Sequence, residues 1–125
     1  MRYTLLLHYP EQTAASIGAK AIEEGQRAFQ SYAAALDAAG VLLSAEVLQP
    51  SHSTTTVRVV DGALRVQDGP FADTKEQLGG SFVIDVPDLD AALEWAGKAP
   101  SVAWGPVEVR PGALLYRDGG WRPNA

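Results

Sequence analysis

Apolar and polar positions alternate from Arg2 to Tyr9: Tyr3, Leu5, Leu7 and Tyr9 fall on one face, Arg2, Thr4, Leu6 and His8 on the other. This period of two predicts a β-strand, and Pro10 ends it. From about Ala14 to Ala39 the period changes. Ile22, Phe29 and Leu36 recur at seven-residue spacing with Gly25, Tyr32 and Ala33 between them, which predicts an amphipathic helix. Gly18 and Gly25 weaken it, so its first turns are expected to be loop or a separate short piece, and Gly40 marks its stop.

A second strand is predicted from Val41 to about Leu48, stopped by Pro50, followed by a loop, SHST. TTVRVVDGALRVQ predicts a hairpin, because Asp61-Gly62 supplies the positive-φ turn between two β-branched runs. GGSFVIDV reads as a further strand. Pro87-Asp88 then opens a second helix, with Asp88 as N-cap and Leu89, Ala92, Leu93 and Ala96 as its expected buried stripe. Asp88 and Asp90 near its start and Lys98 near its end suit the helix dipole, and Pro100 closes it. A last strand runs from Val107 to Arg110, and ALLYRDGGW is expected to add a short edge strand.

The order is strand, helix, strand, inserted hairpin, strand, helix, strand. Two βαβ-like halves of this kind predict an α+β fold, a ferredoxin-like split βαβ with both helices on one face of a four-stranded antiparallel sheet. The other face is left bare. If Leu6 and its neighbours make that face too apolar for water, a second copy is expected to cover it, giving a homodimer.

Composition narrows the function classes. A chain of 125 residues, 46% hydrophobic and 20% charged, is expected to be a single globular domain spanning 1–125. Its net charge of −5 and scattered basic residues argue against nucleic acid and anionic membrane as partners. There is no cysteine, which removes disulfide and thiolate chemistry and fits a cytoplasmic location. MRYTLLLHYP has too short an apolar run for a signal peptide, and no segment approaches the roughly 20 apolar residues that span a bilayer.

Candidate chemistry gathers around QDGPFADTKEQLGGSF, Gln67 to Phe82. Asp68-Gly69-Pro70-Phe71 reads as a turn, with Phe71 expected to bury its ring against the sheet or a partner subunit. Asp68 is either a turn-capping acid or a pocket acid held by that rigid turn. Lys75 and Glu76 read as a solvated pair or, for Lys75, as an anion ligand at a pocket mouth. Gly79 and Gly80 mark a bulge or a close approach of backbone, where a ligand could sit. They form neither a P-loop nor a dinucleotide fingerprint.

His8 is either a satisfied structural residue or, if its face lines an interior, the best available acid or base, since histidine ordinarily titrates near neutrality. His52 sits in a polar loop. Glu46 is an acid in an otherwise apolar strand, facing either a pocket or solvent. His8, Glu46, His52 and Asp68 show no metal-binding spacing, so no metal is expected, and no GxSxG elbow is present. Trp95, Trp104 and Trp121 are expected to pack in the core, near the C-terminus or at a subunit contact.

DGPFADTKEQLGGSFVIDVPDLDAALEWA, Asp68 to Ala96, resembles the signature of the DGPF family of YCII-related proteins. The resemblance extends to RYTLLLHY, to AGVLLSAEVLQPS with TTTVRV, and to VEVRP, and so covers most of the chain. It implies ferredoxin-like subunits paired into a dimeric α/β barrel, with no established activity; no cofactor is expected. Some members are encoded beside alternative sigma factors. Related YCII-like proteins carry a histidine and an aspartate suggested as an active pair; the aspartate matches Asp68, whereas the histidine of the first helix has no counterpart here. Only His8 or His52 could take that part.

The resulting expectation is a small-molecule-binding dimer whose pocket has groups for acid/base chemistry of lyase or isomerase type. His8 and Asp68 would be its catalytic pair, and Glu46, Phe71, Lys75, Gly79 and Gly80 its ligand-binding residues. The alternative is a non-catalytic regulatory or protein-interaction module, linked to sigma-factor-dependent transcription.

Overall fold

Strand β1 (Arg2–Tyr9) sorts its side chains as its alternation requires: Tyr3, Leu5 and Leu7 are buried, and Arg2, Thr4, Leu6 and His8 are partly exposed. The computed structural model describes residues 1–124 and contains three helices and three antiparallel sheets. The largest sheet holds β1, β2 (Leu42–Val47), β5 (Gln77–Asp85) and β6 (Val107–Pro111) in the order β2-β5-β1-β6. Its helix-covered face buries Tyr3, Leu5, Leu7, Phe82 and Ile84 in one core with Tyr32 and Leu36 of α2 (Ala19–Ala38) and Ala92 and Ala96 of α3 (Leu89–Gly97). Leu5, Leu36 and Ile84 are 0% exposed. Each of their side chains contributes about 1.5–3 kcal/mol of burial free energy.

Local sequence explains the helix boundaries. Thr13 caps the single turn α1 (Ala14–Ile17) through a reciprocal box with Ser16, and Gly18, at φ 93°, separates that turn from α2. Asp88 caps α3 by accepting from the Ala91 amide at 2.9 Å. The buried stripe of α3 is narrower than expected. Ala92 and Ala96 pack inward, but Leu89 and Leu93 are about half exposed, because α3 approaches the sheet through its small residues.

The remaining strands form two ribbons. β3 (Thr55–Val60) and β4 (Ala63–Asp68) turn through Asp61 and Gly62, at φ 51° and 78°, the primed hairpin geometry for which Asp-Gly is suited. β7 (Leu114–Arg117) and β8 (Gly120–Pro123) repeat it at Asp118-Gly119, so the tail expected as one edge strand is a hairpin. Val57, Val59, Leu64 and Val66 lie on one face of the first ribbon and are 58–68% exposed.

The bare face of the main sheet differs from expectation. Cross-strand pairing places Glu46, Ser81, Leu6 and Glu108 in one row across it, with Ser44, Val83, Thr4 and Arg110 in the next. Leu6 and Val83 are the apolar members; the others can be solvated. The strongly apolar exposed surfaces are the ribbons, not this face.

Candidate functional site

Three aromatic rings meet at one end of the helix-covered face. Tyr9 ends β1, Phe29 stands on α2, and Trp104 follows the 3-10 turn Pro100–Ala103. Each pair of ring centroids is 6.3 Å apart; Tyr9–Phe29 is tilted at 37°, and Trp104 meets the other two edge-on at 66° and 82°. Edge-to-face pairs at such distances are favourable arrangements of the ring quadrupoles.

Two glycines make room for this cluster. A Cβ at Gly79 would lie 2.2 Å from Cζ of Tyr9, so the phenol ring rests directly on the residue 79 backbone. Gly79 is also the extra residue of a bulge: Leu7 pairs with Gly80 and His8 with Leu78, leaving Gly79 unopposed. A Cβ at Gly105 would lie 2.1 Å from the His8 carbonyl oxygen, which lets the chain after Trp104 close against the end of β1. Gly80 meets the Glu46 carbonyl in the same way, at 2.7 Å.

The rings wall an open groove of about 1240 Å³ between α2 and the β2 edge of the sheet, with Ile22, Ala45 and Val47 along its sides. Glu11 closes one end: its carboxylate accepts from the Ser51 amide at 2.6 Å and from the Ser51 hydroxyl, tying the loop after β1 to the turn after β2. The Tyr9 hydroxyl has no hydrogen-bond partner among the described residues. Burial, and secondarily the Glu11 charge, pushes its pKa up, so it remains a neutral donor.

The residues expected to act together are divided between this groove, the opposite face and the first ribbon. His8 lies on the bare sheet face, where its Nε2 is 2.6 Å from Oε1 of Glu108. Asp68 ends β4, opposite Thr55 in the ribbon, and no hydrogen bond or ion pair joins it to His8 among the described residues. Glu46 is exposed on the edge strand; it borders the groove through its backbone while pairing with Ser81 turns its side chain to the bare face. An acid there keeps its water and needs no buried partner.

Phe71 departs from expectation within the chain. The residue is 77% exposed, and the Arg58 guanidinium sits over one face of its ring, 5.4 Å from the ring centre. The ribbon holds residue 71 away from the main sheet, so no core surface is within its reach. Lys75 is exposed in a loop organised by Gln77, whose side-chain amide donates to the carbonyls of Ala72 and Thr74. His52 borders the groove. No cluster of His, Cys, Asp or Glu among the described residues could hold a metal ion, and no helix is long and apolar enough to cross a membrane.

Of the groove wall, Tyr9 and Phe29 carried a sequence signal only as members of apolar stripes, and Trp104 only as one of three tryptophans. Glu108 lay within the expected last strand without being singled out, because its nearness to His8 depends on the β1–β6 register.

The family model for the YCII-related domain matches residues 1–112, which include every residue of the groove wall and the His8–Glu108 pair. An uncharacterized protein of Rhizobium meliloti (strain 1021) is 35% identical over 121 residues, covering 95% of this chain and 97% of that protein. The matched region takes in the main sheet, both long helices and the first ribbon, and on this ground the chain belongs to the family of YCII-related proteins.

Proposed function

We propose that the protein binds a small organic molecule in the groove walled by Tyr9, Phe29 and Trp104. The observation that carries this reading is the seating of Tyr9 on Gly79. A side-chain-free residue under the ring keeps an aromatic wall in place beside an open groove of about 1240 Å³, and Tyr9, whose hydroxyl has no hydrogen-bond partner among the described residues, lines it. Ligand sites characteristically combine apolar walls with a few placed polar groups.

The same proposal takes residues 1–125 as one cytoplasmic DGPF-type domain with a ferredoxin-like subunit that pairs into a dimer. The strand order and the exposed valine face of the first ribbon support pairing, since an isolated two-stranded ribbon is marginal in water. Acid/base chemistry of lyase or isomerase type would belong to the opposite face of the sheet, where His8 has the Glu108 carboxylate within hydrogen-bond reach, and not to the groove itself. Asp68 would join such a site only across subunits.

A metabolite screen by ¹H–¹⁵N NMR tests the groove. Ligands should shift the Trp104 indole and the amides around Tyr9 and Phe29, and Trp104→Ala should weaken them. Hits confined to the ribbons, or unaffected by that substitution, would defeat the proposal. A second reading, a protein-interaction module, is favoured by the exposed apolar ribbon faces; recovery of a stable heterologous complex that is lost on Val59→Lys would support it.

A further inference from the structure

We infer that the groove selects an organic cation, an amine or quaternary ammonium attached to an apolar body. This rests on the groove being the ligand site, and it names the chemical class. Of the ionisable residues that line the groove, Glu11 stands at its closed end, Glu24 along its α2 rim and His52 at its border, while Glu46 turns its side chain to the other face of the sheet; no lysine or arginine lines it. Neither carboxylate has an ion-pair partner among the described residues, although Glu23, one position from Glu24, pairs with Arg27. The Ser51 groups that bond Glu11 are neutral donors and leave its charge uncompensated.

The negative field extends inside, because Glu11 contributes to holding the proton on the Tyr9 hydroxyl. Two groups oppose it, the His52 imidazole at the groove border and the N-terminus of α2. The N-terminus of α2, at Ala19, carries roughly half a positive charge, but that influence is confined to the first helical turn. Two full carboxylates outweigh both. The rings complete the selection, since aromatic faces attract cations and repel anions, and their apolar area rewards a hydrocarbon body.

The test uses three probes with one 4-tert-butylphenyl body: 4-tert-butylbenzylamine as its ammonium ion, 4-tert-butylbenzyl alcohol and 4-tert-butylbenzoate. Each is titrated into the full chain near neutral pH and followed at the Trp104 indole and the Tyr9 amide. The ammonium should bind about tenfold more tightly than the alcohol, the benzoate should be weakest, and added salt should narrow the spread. Glu24→Gln, at an exposed helix position, should bring the ammonium towards the alcohol without unfolding the chain. Equal or tighter binding of the alcohol or benzoate at these resonances would overturn the cation inference and leave the groove reading standing. Failure of all three to move these resonances, or shifts confined to other surfaces, would overturn both.

Discussion

Tyr9 rests on Gly79 so closely that one methyl group at position 79 would overlap the phenol ring. The contact joins the end of β1 to the bulge of β5 and fixes one wall of the groove. Gly79→Ala must therefore push Tyr9 off its seat. We expect a loss of about 1–3 kcal/mol in chemical denaturation, typical of overpacking, together with weakened binding of any groove ligand. Unchanged stability and binding would show that the ring is free to move aside.

Tyr32 couples α2 to α3 by donating its hydroxyl proton to the Trp95 carbonyl at 2.7 Å, and its ring packs edge-on to Phe82. Burial pushes its pKa up to about 12 from an ordinary 10.0. The folded chain thus keeps a proton that the unfolded chain releases, and the stability this gives is complete below pH 10 and lost as pH rises towards 12. Denaturation midpoints should fall over that interval, by at most about 1.4 kcal/mol per pH unit. Tyr32→Phe should flatten this fall while costing about 1 kcal/mol at neutral pH.

His8 and Glu108 form a hydrogen-bonded pair on a largely solvated sheet face. Such pairs contribute little to stability, so His8→Ala or Glu108→Gln should cost less than about 1 kcal/mol. Any turnover found for the protein that disappears in both variants would therefore report on chemistry and not on unfolding. Turnover that survives both would remove His8 as the acid or base.

The first ribbon presents Val57, Val59, Leu64 and Val66 on one exposed face. If a second copy covers it, Val59→Lys with Leu64→Lys should convert a dimer to a monomer in sedimentation equilibrium, with the thermal unfolding of the main sheet little changed. A dimer that persists in the double variant would place the subunit contact elsewhere.

Much of this architecture was legible in the sequence because short-range signals decide it. The alternation of Tyr3, Leu5 and Leu7, the Asp61-Gly62 turn and the Asp88 cap each act within a few residues, and each is found in the fold. Gly18 divides the first helical segment where its weakening of the pattern suggested. The second hairpin carried the same Asp-Gly signal at Asp118-Gly119, but its flanking runs are only four residues each and read as one edge strand. Leu89 and Leu93 were read inward because hydrophobicity does not say which of two adjacent helical stripes meets the sheet; Ala92 and Ala96 allow the closer approach.

The candidate site was less legible, for a geometric reason. Gly79 could be recognised as a place of close backbone approach, but the residue approaching it, Tyr9, is selected by strand register and by a one-residue bulge. Trp104 reaches the cluster through a turn whose path depends on Gly105 lying under the His8 carbonyl. His8 and Asp68 were linked through resemblance alone, and within this chain they sit on different sheets.

The side chain of Asn124 behaves as a detached piece of strand. Its amide oxygen accepts from the Arg2 amide at 2.8 Å, and its amide nitrogen donates to the carbonyls of Arg2 and Gly112 at 2.9 and 2.8 Å. The first rung of the first strand is thus supplied from 122 positions downstream. The Gly112 amide also donates to the Arg2 carbonyl, at 3.1 Å, but the Arg2 amide finds its partner in this side chain, beyond the last β1–β6 pair. Replacing Asn124 by alanine would leave the Arg2 amide without that partner, so the leading end of β1 should loosen while the core beneath Leu5 and Leu7 stays packed.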